Sequence, residues 1–253
     1  MDAEALLSSC YLKVIGCVLA VIVLVGIAIG VIWRIRKSRQ EKKHKDYPKD
    51  TVVLHQIGRA KYAPSLSPFP LKLETYLRMA EIPYINEHSM EMSSKGKTPW
   101  MTYNGLDIAD SEFCIGYLTE KLGTDMSKNL TPEEKAIAHA FQKMTEESLY
   151  WTMCYIALAG DLTSVRSIMP YTGFKLWFVP LALSSVIRKQ LWGQGVGRHT
   201  REEVEHIGEG DVKALSVYLG EKRFFMGDEA CTVDCALCWY AGSNGLEHAR
   251  LTT

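Results

Sequence analysis

An α/β domain followed by an all-α domain, with one apolar helix ahead of both, is the fold class that the sequence predicts. Three observations carry it: an uncharged apolar stretch from Val14 to Trp33, strand and helix signals in the order β-α-β-β-β-α between Thr51 and Gly123, and helix-start signatures at Thr131 and Thr200 beyond them. The 253 residues, 47% hydrophobic and 23% charged, have the composition of a folded protein, which excludes wholesale disorder. Formal net charge is zero but segregated: seven basic side chains from Arg34 to Lys45 against Glu41 give +6 there and −6 elsewhere. Seven cysteines, an odd number in no disulfide framework, fit a reducing compartment.

The stretch 14–33 reads as a transmembrane signal-anchor helix. Thirteen of its positions are Val, Ile or Leu, and about 20 residues at 1.5 Å each cover the roughly 30 Å hydrocarbon core of a bilayer. A cleaved signal peptide and a buried core helix are the alternatives. Asp2 and Glu4 ahead of the stretch, and the lack of a small-residue cleavage site after it, argue against the first. Residues 1–13 then form a short extracytosolic N-terminus and 34–50 a basic juxtamembrane linker, whose cations keep the C-terminal body cytosolic in a single-pass topology. The partners expected are membrane lipid, through the anchor and the basic linker, and other proteins, but no nucleic acid; which membrane is left open. Gly26 and Gly30 form a GxxxG pair that offers a route to a homodimer.

The first soluble segment opens with Thr51 to Ile57, a β-branched run that reads as a buried strand. After a loop, Ser67 stands as N-cap to a helix with Pro68 and Pro70 in its first turn, where a missing N–H costs nothing; Leu71, Leu73, Tyr76, Leu77 and Ala80 continue at helical spacing. A short strand at Tyr84 to Asn86 follows. Thr98 to Tyr103 then meets a turn at Asn104-Gly105, a strong hairpin signal. Asp110-Ser111-Glu112 leads into a helix through Phe113, Ile115, Tyr117, Leu118 and Leu122, closed by Gly123.

In the second half, Thr131, Pro132 and Glu134 give concordant start signals for one long amphipathic helix to Gly160, whose aromatic stripe reads as core. Thr200 with Glu203 opens another. Between them Leu176 to Ile187, apolar but interrupted by Pro180, is expected to be buried between helices, with docking on a bilayer as the alternative. Cys231, Cys235 and Cys238 fall at i, i+4 and i+7, the spacing of one helical face. They form either part of the core, the preferred reading, or a thiolate cluster for a soft metal, which would lack a fourth ligand.

Ser67-Pro68-Phe69 at a helix start, Gly96-Lys97-Thr98-Pro99 before a hairpin and Asp110-Ser111 before a helix together resemble the thioredoxin-like domain of glutathione transferases. His55-Gln56, Pro64 to Phe69, Leu71-Lys72, Glu74 to Ala80 and Tyr150-Trp151-Thr152 are similar to the failed axon connections family, relatives of the metaxins. The resemblance runs from about Thr51 to Asp234. It implies a thioredoxin-like domain over 51–123 and a glutathione-transferase C-terminal-like helical domain over 129–253, truncated relative to the family.

The resemblance also assigns roles. Pro99 corresponds to the cis-proline of the fold, and Thr98 offers its backbone to a thiol peptide; Asp110 and Ser111 hold the γ-glutamyl end of glutathione, the cofactor that the resemblance implies. Ser67 stands where thiol-active relatives carry a nucleophilic or thiolate-stabilising residue and is the weak catalytic candidate, while Tyr62 is read as structural. No cysteine stands at the place of Pro70, where family members often have one. Cys231 replaces the hydroxyl that caps the central helix of transferases, with Asp234 returning the bond. The implied function is a non-catalytic, membrane-anchored binding or scaffold module with a role in axonal development. A glutathione-dependent transferase acting on apolar electrophiles near a membrane is the alternative.

Overall fold

A computed structural model describes residues 15, 18–19, 21–35, 47–61, 64–89, 91–158 and 162–242. The chain divides between Lys49 and Asp50 into two units.

In the first unit residues 21–35 are helical (α1). Its large apolar side chains are all substantially exposed, from 49% at Ile35 to 65% at Leu24. Among the described residues no helix is long and apolar enough to cross a membrane. The span expected over 14–33 rests in part on positions 14, 16, 17 and 20, which lie outside the described residues, as does most of the basic linker.

The second unit begins with β1 (Val52–Gln56), all five residues buried, and continues through α2 (Pro68–Met79), β2 (Tyr84–His88), β3 (Trp100–Tyr103), β4 (Leu106–Ala109) and α3 (Ser111–Leu122). The sheet order is β2-β1-β3-β4, with β1 parallel to β2 and antiparallel to β3, and β4 antiparallel to β3. This is the succession read from the sequence, with β2 extending two residues further. The two-residue turn between β3 and β4 has positive φ at both Asn104 (48°) and Gly105 (82°), the backbone that an Asn-Gly pair adopts at least cost. Alternation along the strands turns Val52, Leu54, Met101 and Tyr103 toward Leu73, Tyr76 and Leu77 of α2. Cys114, Ile115 and Leu118 of α3 complete that core, and Cys235 reaches it from the helical half.

The helical half comprises α4 (Pro132–Met144), a π-helical turn (Thr145–Leu149), α5 (Tyr150–Leu158), α6 (Thr163–Ile168), α7 (Phe174–Gln194), a 3-10 turn (Val196–Arg198), α8 (Arg201–Leu219) and α9 (Thr232–Gly242). Capping boxes at Thr131/Glu134 and Thr200/Glu203 are both formed. The single long helix expected from Thr131 is thus present as one continuous helical run over 132–158, with a π turn at its middle. Helical periodicity conceals one, because it inserts a residue into the i→i−4 ladder without changing which residue types follow. A second core joins Leu149, Leu215, Phe225, Val233, Leu237 and Tyr240, with α9 at its centre.

Burial of Leu176 to Ile187 between helices is overturned. α7 runs through Pro180 and buries Pro180, Ser184, Ile187 and Leu191, yet leaves Phe174, Trp177, Phe178 and Leu181 more than half exposed. Its apolar residues continue around the helix while its packing comes from α5, α6 and the 3-10 turn, so one stripe is covered and another is not.

Candidate functional site

Strand register brings the candidate residues to one end of the sheet. His55 pairs with Trp100, and Trp100 with Ala109. The exit of β1, the entry to β3 and the exit of β4 therefore lie side by side. Since β1 and β2 are parallel, the crossover helix α2 runs back from the C-terminal end of β1, which sets Ser67 at that same end. Thr98-Pro99 and Asp110-Ser111 flank it, and the Thr98–Pro99 peptide bond is cis.

Local chemistry differs from the expectation at Ser67, and a second cap stands at Asp110. Ser67 has the extended N-cap backbone (φ −124°, ψ 140°), but its side chain makes no capping hydrogen bond. Pro70 at the third helical position removes one of the two amides such a cap can use, leaving only that of Phe69. The Ser67 amide instead donates to Ser65 Oγ at 3.2 Å. On α3 the cap is Asp110, whose Oδ1 accepts from the amides of Glu112 (3.1 Å) and Phe113 (3.5 Å). Those two helix-start donors are thus already engaged, while Ser111 is buried at 4% exposure. Thr98 Oγ1 is a buried hydroxyl with no hydrogen-bond partner among the described residues.

Behind these residues lie two buried polar networks. Glu74, 3% exposed, accepts from Gln56 Nε2 (3.0 Å), Asn86 Nδ2 (3.0 Å), Arg59 (3.1 Å) and the Tyr84 hydroxyl (3.2 Å). Lys72, 2% exposed, bridges Glu112 of α3 (2.5 Å) and Glu146 of the π turn (2.6 Å), and Gln142 donates to Glu112. This second network ties the sheet domain to the helical half through the π turn. Phe69, two residues after Ser67, also crosses over, meeting Tyr150 edge to face at 4.9 Å.

Burial opposes charge on Glu74 and Glu112, yet both carboxyls are held below the usual range. For Glu74 the hydrogen bonds from Gln56 and Asn86 and the Arg59 charge outweigh desolvation; for Glu112 the Lys72 charge and the hydrogen bonds from Lys72 and Gln142 do. The folded state therefore binds fewer protons than the unfolded one. The stability these groups contribute is present above about pH 4.3 and is lost as pH falls below it. Urea titrations between neutral pH and about pH 3 are expected to show a steeper loss for the parent chain than for Glu74→Gln, whose curve flattens. Parallel curves would show that Glu74 carries none of the acid sensitivity.

None of the buried thiols is set up as a nucleophile. Burial pushes Cys114, Cys231 and Cys235 up to about 12 and Cys154 up to about 11. Cys231, Cys235 and Cys238 do not form one buried set: Cys231 precedes α9, Cys235 is buried within it and Cys238 is exposed. Cys235 Sγ lies 3.9 Å from Met79 Sδ in the sheet-domain core, and Cys231 Sγ donates to Asp234 Oδ2 (3.3 Å). Among the described residues no group of three His, Cys, Asp or Glu side chains is placed to hold a metal. The bond returned by Asp234 is present: it accepts from the amides of Cys231 (2.9 Å) and Phe225 (2.8 Å). Tyr62 lies outside the described residues.

Sequence reasoning missed Lys72, Glu74, Gln142 and Glu146 as buried polar residues. One signal was legible: Lys72 lies one helical turn before Tyr76 and so shares its inward face. A separate cleft of about 490 Å³ in the helical half, lined by Ser148, Thr152, Gln194, Val196, Arg198 and His199 among others, shares no residue with the sheet-end set.

Comparison with known proteins agrees with this architecture. Residues 68–162 match the family model of the glutathione S-transferase N-terminal domain. The chain is 35% identical over 207 residues to Failed axon connections of Drosophila melanogaster, covering 75% of this chain and 49% of that protein; it therefore spans about half the length of the fly protein. It is 29% identical over 186 residues to an isoprene-epoxide glutathione S-transferase of Rhodococcus sp. (strain AD45), covering 69% of this chain and 78% of that one. It is 20% identical to human metaxin-2, covering 74% of each. Among solved structures, glutathione transferase Omega 3C of Trametes versicolor superposes with a TM-score of 0.52 at 14% identity, covering 82% of this chain and 78% of that one. That likeness speaks to the fold alone. The match to the fly protein reaches across both halves of the body and makes the chain a homologue of Failed axon connections, glutathione-transferase-like and similar to a metaxin.

Proposed function

We propose that this chain is a non-catalytic binding or scaffold module held at a membrane by its N-terminal apolar helix. The observation that carries the non-catalytic reading is the chemistry of the sheet end. No sulfur stands at Ser67 or Pro70 for thiol–disulfide chemistry, burial raises the pKa of Cys114, Cys154, Cys231 and Cys235 to about 11 or 12, and the α3 amides of Glu112 and Phe113 that could receive a carboxylate are taken by Asp110. The fly relative's name refers to axon connections, and a scaffold role in that setting is what this reading extends to the present chain. Incubated with glutathione and a standard aryl-halide electrophile, the purified chain is expected to give turnover indistinguishable from the uncatalysed rate. Turnover abolished by Ser67→Ala would overturn the reading.

The transferase alternative has one observation in its favour, the similarity to the bacterial isoprene-epoxide glutathione S-transferase. Glutathione binding by calorimetry separates the two, since the transferase requires saturable binding that Ser111→Ala weakens.

The anchor reading rests on the uncharged run from Val14 to Trp33 and on the exposure of every large apolar side chain of α1, which leaves that helix a surface suited to lipid. The basic cluster at 34–45 argues for a cytosolic body. Expressed in animal cells, the chain is expected to stay with membranes in alkaline carbonate and to carry no sugar at the sequon Asn129-Leu130-Thr131. Release into the supernatant sinks the anchor; glycosylation at Asn129 sinks the orientation.

A further inference from the structure

The second unit has an apolar surface of its own. Down one side of α7 run Phe174 (72% exposed), Trp177 (60%), Phe178 (52%) and Leu181 (55%), and about two to three turns further on the same side come Arg188, Lys189 and Trp192 (62%). Phe174 and Phe178 stack at 3.8 Å, and Arg166 of α6 lies over the Trp177 ring at 4.6 Å. The stripe that α7 buries is a different one, closed by Ile187, Leu191, Val196 and Val204 and by the bond from Ser184 Oγ to the Leu158 carbonyl. A helix that is apolar on both its core side and its outer side exposes what a water-facing helix replaces with polar groups.

Charge indicates what covers it. From Leu162 to His199 there are five basic side chains, Arg166, Lys175, Arg188, Lys189 and Arg198, and no acidic one. The rest of residues 51–253 carries fifteen basic against twenty-four acidic. Aromatic and leucine side chains interleaved with Lys and Arg, on a helix lying along a surface, are the chemistry of an interfacial helix: rings enter the headgroup boundary while cations meet anionic lipid. A second copy of the chain is disfavoured by the same pattern, because a two-fold contact through this face sets cations against cations. We infer that the α6–α7 face docks on an anionic phospholipid surface, as a contact independent of α1.

The test is hydrogen exchange by mass spectrometry on the full chain, with and without vesicles, because peptides from 174–186 and from 21–35 report the two contacts separately. With vesicles of phosphatidylcholine containing about one-third phosphatidylserine, peptides over 174–186 are expected to gain protection, and with phosphatidylcholine alone they are not. Phe174→Ser with Trp177→Ser, both at exposed positions, removes the gain. Lys175→Gln and Lys189→Gln each shift the lipid concentration for half-protection about fivefold upward. Protection at 21–35 without protection at 174–186 overturns this inference and leaves the anchor standing; the reverse pattern does the opposite. Equal protection by neutral and anionic vesicles overturns it, and so does protection at 174–186 that rises with protein concentration in the absence of lipid, which is the signature of self-association.

Discussion

Replacing Lys72 with methionine lowers the unfolding free energy by about 3–5 kcal/mol, measured by urea denaturation at neutral pH. The ammonium is 2% exposed and sits between Glu112 and Glu146, with Gln142 completing the cluster. Methionine keeps the apolar stem but leaves Glu146, only 10% exposed, with the 41% exposed Lys143 at 3.4 Å as its remaining counter-charge. A buried carboxylate that loses its closer, buried partner costs more than the pair contributes, and the solvated Lys143 offsets only part of that cost. Glu112 is 45% exposed, so water screens its share and most of the loss falls on Glu146. The double change Lys72→Met with Glu146→Gln is therefore expected to recover part of the stability, giving a coupling energy of about 1–3 kcal/mol in the double-mutant cycle. A loss under about 1 kcal/mol for Lys72→Met would mean that the cluster is open to water. The network joins α2 and the start of α3 to the π turn, so its loss also loosens the sheet end where Ser67 and Ser111 stand.

Asp234→Ala is expected to cost about 2–4 kcal/mol by the same measurement. Its carboxylate accepts two backbone amides, from Phe225 at 2.8 Å and from Cys231 at 2.9 Å, and both residues are 2% exposed. Alanine leaves two donors unsatisfied next to the start of α9, the helix that packs on α2 and also lies at the centre of the second core. Asp234→Asn, with one carbonyl oxygen left as acceptor, falls between the two. In the opposite direction, Cys231→Ser supplies the hydroxyl acceptor that a thiol provides poorly, and stabilises by up to about 1 kcal/mol. If Asp234→Ala unfolds at the parent midpoint, the cap contributes nothing to the stability of α9.

What could be read along the chain was local or periodic. The strand at Val52–Gln56, the Asn104-Gly105 hairpin and the capping boxes at Thr131 and Thr200 each rest on neighbours within a few residues, where backbone sterics and nearby hydrogen bonds decide. The family resemblance was legible for the same reason: its motifs are short runs around Ser67, Thr98 and Asp110. Only the tertiary structure showed that the Ser67 side chain makes no capping bond, that Asp110 takes the α3 donors, and that Cys231 and Cys235 go to different cores.

The ion cluster at Lys72 joins residues 40 and 74 positions apart in sequence, and the π turn that presents Glu146 is a backbone insertion that no residue pattern announces. The exposed stripe of α7 belongs with them. Apolar periodicity says that a face avoids water but not what meets it, because burial depends on which other elements arrive there, and from α5, α6 and the 3-10 turn only one side of α7 is covered.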